Sequence, residues 1–188
     1  ARLDERPGEW KRLDALCRVT ISRFYRDRSV GDHIRDVLLP RLGQRARERG
    51  DHELRCWSIG CGSGEEPYTL SLIWHLEVSP GFPELGLSIV ATDADPNVLR
   101  RASSGRYAFG SLKELPERLR ERAFRRDDDA YELKPEYRRG VLFLEQDIRE
   151  GQPVGCFDLV LCRNLVFTYF DEDRQREVLR RITATMHD

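Results

Sequence analysis

Residues 58–68 read SIGCGSGEEPY. The apolar run LRCWSIGC at 54–61 leads into this stretch, and EEPYTLSLIWHL at 65–76 leads out of it. The first has the composition of a buried strand. The second has apolar positions at helical spacing, with Pro67 in the first turn, where a missing N–H is harmless. A strand, a turn with glycine at 60, 62 and 64, and a helix make the opening unit of an α/β fold, whose ligand crevice lies at the carboxyl ends of the strands. The end of the turn decides what that crevice holds. A dinucleotide fingerprint reads GxGxxG and aims a helix N-terminus at a pyrophosphate. Here the spacing is GxGxG, and Glu65 and Glu66 stand where the phosphate would lie. Like charges there cost on the order of 1 kcal/mol or more, and the lysine of a Walker loop is absent.

A cationic ligand without phosphate removes the conflict. S-adenosylmethionine carries a sulfonium and an ammonium, and acids beside the turn attract both. Asp93 closes the next apolar run, LSIVATDA at 87–94, where an acid can accept ribose hydroxyls. Asp147 closes a third, VLFLEQDI at 141–148, on the adenine side of the same crevice. On these residues alone a second reading stays open, in which the glycines only shape a tight turn and Asp93 only caps the helix that follows.

The rest of the chain supports one domain. Helices are expected at 8–18, at 31–49 with a kink or shortening at Pro40, from Asp95 onward, over 111–126 with a fresh start at Pro116, and after Asp171, where Val178, Leu179 and Ile182 would face inward. A fourth strand is expected at 157–164, and 127–140 reads as one hairpin. Strands alternating with helices give an α/β fold with a mainly parallel, Rossmann-like sheet. Residues 1–50 read as a helical attachment and 51–188 as the cofactor-binding domain, with a small insert at about 108–140. The chain is expected to stop short of the final strands.

With 188 residues and 39% apolar content the chain can bury a core, and a net charge of −1 points to neither nucleic acid nor a membrane. No apolar run is long enough for a membrane span or signal peptide. Only three of the 32 basic residues are lysine. Five cysteines form no CxxC pair and read as buried free thiols of a reducing cytoplasm. The histidines lack metal-ligand spacing, so no metal is expected. Arg118, Arg122, Arg125 and Arg126 read as a solvated helix face neutralised by Asp127–Asp129.

The blocks SRFYRD (22–27), GSGEEPYTLSL (62–72), ATDADPNVLRRASSGRY (91–107), FLEQDI (143–148) and CRNLVFTYFDEDRQ (162–175) occur in the order found in the CheR-type chemotaxis-receptor methyltransferases, which the chain resembles from about residue 20 onward. These enzymes transfer a methyl group from S-adenosylmethionine to receptor glutamates, releasing S-adenosylhomocysteine. The resemblance implies that fold and cofactor. It also implies that Ser22 and Arg26 lie near the methionine part and the reacting methyl. Glu66 contacts the cofactor beside Gly60, Gly62 and Gly64, and Asp93 with Ala94 holds the ribose. Asp147 and Ile148 lie against adenine, Arg163 and Asn164 line the pocket, and Tyr169 sits close to the transfer site. Arg26 and Tyr169 are the catalytic candidates.

The sequence departs from the family in three places. Four residues, not three, separate Asn164 from Tyr169, so Phe167 competes for the tyrosine's place. Few residues precede SRFYRD. The 125–140 segment looks too short for a three-stranded receptor-docking subdomain, which makes receptor docking doubtful. An ionised carboxylate acceptor needs no general base, and no histidine lies in a matched block. O-methylation of a protein glutamate is therefore the expected activity. A methyltransferase acting on a small molecule or on another carboxylate or hydroxyl, and a non-catalytic cofactor- or partner-binding module, are the alternatives.

Overall fold

The structure, a computed structural model, describes residues 22–163, 168 and 170–187. The helix expected at 8–18 lies outside them. In chain order come α1 (Arg28–His33), a π turn (Ile34–Leu38), α2 (Leu39–Arg49), β1 (Glu53–Ile59), α3 (Glu65–Ile73) and a second π turn (Trp74–Val78). They are followed by β2 (Gly86–Asp93), α4 (Pro96–Ser104), β3 (Arg106–Ala108), α5 (Phe109–Leu112), α6 (Glu117–Ala123), β4 (Phe124–Asp127), β5 (Ala130–Leu133), β6 (Val141–Glu145), β7 (Leu159–Cys162) and α7 (Glu172–Ala184).

The main sheet has the order β6-β2-β1-β7, with every pair parallel. The crossovers leave β1 at a switch point, where neighbouring connections part and a crevice opens at the strand ends. From Cys56 to Ile59 β1 is buried on both faces, which is why its sequence is mostly apolar there. Leu54 and Cys56 join a cluster with Phe24, Leu39, Tyr68, Leu70 and Trp74. Trp57 and Ile59 join a second cluster with Ile148, Phe157, Val178 and Ile182. The expected burial of Leu179 is corrected: it is 45% exposed, since a residue next in sequence to Val178 sits about 100° further round the helix. Cys56 and Cys61 are buried, but Cys156 is exposed, against expectation.

Pro40 neither ends nor shortens its helix. The helical path runs from Arg28 to Arg49, and Pro40 is the second residue of α2, directly after the π turn. The wider turn makes room for a ring that would otherwise press on the carbonyl four residues back. At the far end of α2, the Arg49 guanidinium donates to the buried Asp158 carboxylate, whose other oxygen accepts from the Arg55 N–H at 2.8 Å.

The insert is larger in strands than the sequence suggested. β4 and β5 form a hairpin, and β3 adds to its other side, giving an antiparallel sheet of order β3-β5-β4. The expected lack of room for three strands is overturned, because the third strand comes from Arg106–Ala108, upstream of the segment counted. The helical stretch expected over 111–126 is two short helices, the second starting after Pro116 as expected but ending at Ala123. Arg118 and Arg122 lie on α6 and Arg125 and Arg126 on β4, so the four do not form one helix face. Arg118 pairs with Glu77 and Arg125 with Glu132, while Asp127 pairs with Arg106. No helix among the described residues is long and apolar enough to cross a membrane.

Candidate active site

The glycine turn is built on backbone geometry. Gly60, Gly62 and Gly64 have φ of 67°, 55° and 88°, a left-handed region that L side chains rarely adopt. This alternation lets the Gly60 and Cys61 N–H groups both donate to the Thr92 carbonyl, at 2.8 and 3.0 Å, while Gly62 N–H donates to Asp93 Oδ2 at 2.9 Å. The three glycines are not equivalent. A Cβ on Gly64 would lie 2.9 Å from Ala102 Cβ and 3.2 Å from Phe143 and Tyr107, so its bareness serves packing. Among the described residues, a Cβ on Gly62 would meet only Ser22 Cβ, at 3.9 Å.

The two glutamates are both drawn inward. Glu65 is 3% exposed, and its Oε2 has no hydrogen-bond partner among the described residues. Burial raises its pKa, and the Ser22 hydroxyl works against that rise. Glu66 Oε1 accepts from Ser58 Oγ at 2.8 Å, and its Oε2 lies 3.4 Å from Arg163 Nε. Burial raises the Glu66 pKa as well, with Ser58 and Arg163 opposing it. Ser58 was not singled out in the sequence, where it is a polar residue among the apolar Cys56, Trp57 and Ile59 of β1. That interruption was the signal available.

Asp93 stands at the end of β2. Its Oδ1 accepts from Asp95 N–H at 3.0 Å, and its Oδ2 takes Gly62 N–H. Each carboxylate oxygen can accept again. Ala94, beside it, is exposed. Gln146 N–H donates to the Asp93 carbonyl at 3.0 Å, which brings the β6 exit, and with it Asp147, against the β2 exit. Asp147 is gripped by the Arg149 guanidinium and accepts from the Arg149 N–H at 2.8 Å. Ile148 is 4% exposed and packs in the second core cluster. Asn164, Phe167 and Tyr169 lie outside the described residues.

Arg26 is reached through a strained turn. Phe24 is fully buried, edge-on to Tyr107 and Phe124. Tyr25 has φ 57°, which costs a non-glycine residue roughly 1–2 kcal/mol. Its N–H donates to Thr69 Oγ1 at 3.1 Å, and its hydroxyl donates to Asp32 at 3.0 Å. Arg35 donates to the same hydroxyl at 3.3 Å, and the ring lies where a Cβ on Gly31 would sit at 2.7 Å. Burial first, and then the bond to Asp32, push the phenol pKa up to about 12, so it remains a donor at neutral pH. The reversal sends Arg26 and Asp27 outward to a cleft also lined by Glu66, Thr69, Leu161 and Arg163. Asp27 Oδ2 pairs with Arg163 Nη2 at 2.8 Å. Thus Ser22, Glu65 and the glycine turn are in contact, as are Asp27, Arg163 and Glu66, with Asp93 tied to Gly62. The pairing of Asp27 was not foreseen, because nothing in SRFYRD distinguishes it from a solvated acid.

Over residues 20–188 the chain matches the family described as CheR methyltransferase, SAM binding domain. The chemotaxis protein methyltransferase of Listeria monocytogenes is 33% identical over 172 residues, covering 92% of this chain and 62% of the relative. That of Escherichia coli K12 is 31% identical over 191 residues, covering 97% and 62%. The chain thus spans about 62% of the length of these relatives. Among solved structures, the N-methyltransferase NodS from Bradyrhizobium japonicum in complex with S-adenosyl-l-homocysteine aligns with TM-score 0.43 at 12% identity, covering 79% of this chain and 55% of that one. A match that takes in the strained turn, the glycine loop, the β2 exit and the last strand together leaves one conclusion: the chain belongs to the CheR methyltransferase family and carries its S-adenosylmethionine-binding domain.

Proposed function

We propose that the protein O-methylates a carboxylate, with a glutamate of a chemoreceptor-type protein in the cytoplasm as acceptor, and that residues 51–188 form its cofactor-binding unit. The observation carrying this reading is the pair at the end of the glycine turn, buried Glu65, one of whose oxygens has no partner among the described residues, and part-buried Glu66. Such a pair repels phosphate and favours a cation, and the relatives named chemotaxis protein methyltransferases point to the acceptor.

Bound S-adenosylmethionine would supply an activated methyl group. The chain's residues would do the rest. Glu66 and the orphan oxygen of Glu65 would take its cationic groups, Asp93 the ribose, Asp147 and Ile148 the adenine side, with Ser22, Gly60, Gly62, Ala94, Arg163 and Asn164 completing the lining. Arg26 would hold the acceptor carboxylate through its planar guanidinium fork, and Tyr169 would close the transfer site. The acceptor is already ionised, so no residue needs to remove a proton. The three-stranded sheet restores a subdomain that the sequence had made doubtful as a docking element.

Methyl-labelled cofactor incubated with a cell extract and with purified chemoreceptor signalling domain tests this. Base-labile label in the receptor is the expected result. Label confined to small molecules replaces the acceptor, and absence of S-adenosylhomocysteine binding by calorimetry removes the cofactor. Arg26→Ala should lower kcat about 100-fold or more with cofactor affinity within about threefold. Equal loss of both would place Arg26 on the cofactor.

A further inference from the structure

We propose, resting on the reading of Glu66 as the cofactor's partner, that Asp27 is a positioning residue that sets cofactor affinity by competing with Glu66 for the Arg163 guanidinium.

Three helices of the fold begin at an aspartate. Asp95 accepts from the N–H of Asn97 at 2.9 Å, and Asp171 accepts from the N–H of Arg174 at 2.9 Å, the ordinary use of a carboxylate at this position. Asp27 occupies the same position before α1, with similar extended backbone, and its side chain makes no cap bond. Its oxygen goes to Arg163 at 2.8 Å instead. The diversion is arranged by Tyr25, whose left-handed backbone is fixed by Thr69 and Asp32 and turns the next residues toward β7.

Arg163 faces two carboxylates of unequal depth. Asp27 is 53% exposed and close; Glu66 is 17% exposed and stands off at 3.4 Å. An arginine drawn outward neutralises the inner acid incompletely. Glu66 then keeps charge for a ligand cation, which need only displace a long, weak pair. Without Asp27 the guanidinium keeps, among the described residues, the inner carboxylate as its anionic partner and closes on it. A cationic ligand must then break a tighter ion pair in a poorly solvated place, and binds less well. Asp27 therefore tunes the site without touching the ligand.

Calorimetry with S-adenosylhomocysteine on wild type, Asp27→Asn, Arg163→Gln, the double variant and Asp27→Glu tests the relay, with thermal melting to confirm that each is folded. Asp27→Asn should bind about tenfold more weakly than wild type, and Asp27→Glu, which restores the charge, within about twofold of it. In the Arg163→Gln background the Asp27→Asn change should matter by less than about twofold. An equal loss in both backgrounds would mean that Asp27 attracts the ligand directly, and no loss in either would mean that it only decorates the surface. Both results overturn the relay while leaving the cofactor reading intact. Wild-type protein that fails to bind S-adenosylhomocysteine removes the cofactor reading, and the relay with it.

Discussion

The carboxyl edge of the parallel sheet and the small antiparallel sheet are both rich in charge, but they use it differently. In the small sheet Arg106 pairs with Asp127 and Arg125 with Glu132, all on the outer surface, and water shares the work. At the sheet edge Glu65 is buried with an open oxygen, Glu66 is compensated at 3.4 Å, and Tyr25, Gly60, Gly62 and Gly64 all have positive φ. Each region holds one non-glycine residue at positive φ, Tyr25 at the edge and Asp128 in the turn between β4 and β5, but among the described residues a buried carboxylate oxygen without a partner occurs at the edge and not in the small sheet. Folding alone does not favour such an arrangement, which supports the proposal that a ligand acts there.

Glycine substitution separates the two regions most strongly. Gly64→Ala should destabilise by about 3 kcal/mol or more in urea denaturation, since it adds a backbone penalty to a 2.9 Å clash with Ala102. Gly110→Ala, in the insert with nothing within 4 Å of the added carbon, should stay within about 0.5 kcal/mol. Equal costs would mean that the glycine turn is not the constrained element.

Glu65→Gln should reveal the stability given up at the sheet edge. The folded carboxyl has a raised pKa, so wild type is best off when protonated and loses stability as pH rises through the folded value. The amide has no such dependence. The variant should therefore gain about 1 kcal/mol over wild type near pH 8, and the gain should vanish as pH falls below the ordinary glutamate value. Melting temperatures across that range check it. A pH-independent difference would point to packing, not charge.

The smallest effect belongs to the insert. Arg125→Ala removes an ion pair whose arginine is 74% exposed, and the melting temperature should be unchanged at physiological salt. A clear loss would show that the small sheet depends on its charges after all.

The elements around the site were legible because their signals are long. β1 and β2 are seven and eight residues long and mostly apolar, and Asp95–Pro96 announces α4. The small sheet was only partly legible, because strands of three and four residues carry too little pattern to compete with the helix-forming arginines and glutamates around them. Pro40 misled because a π turn leaves no mark of its own in composition. At the site, the glycines, Glu66 and Asp93 were visible from residue type and place. The Asp27–Arg163 pair was not, since it joins residues 136 positions apart whose meeting depends on the backbone at Tyr25.

The clasp of Arg49 on Asp158 ties the helical arm to the far edge of the sheet, across more than a hundred residues of chain. A fastening of that span makes the arm and sheet rise and fall together. In hydrogen exchange, α2 and β7 should lose protection as a single cooperative block, and the methylation chemistry would inherit an anchored floor beneath its strained turn.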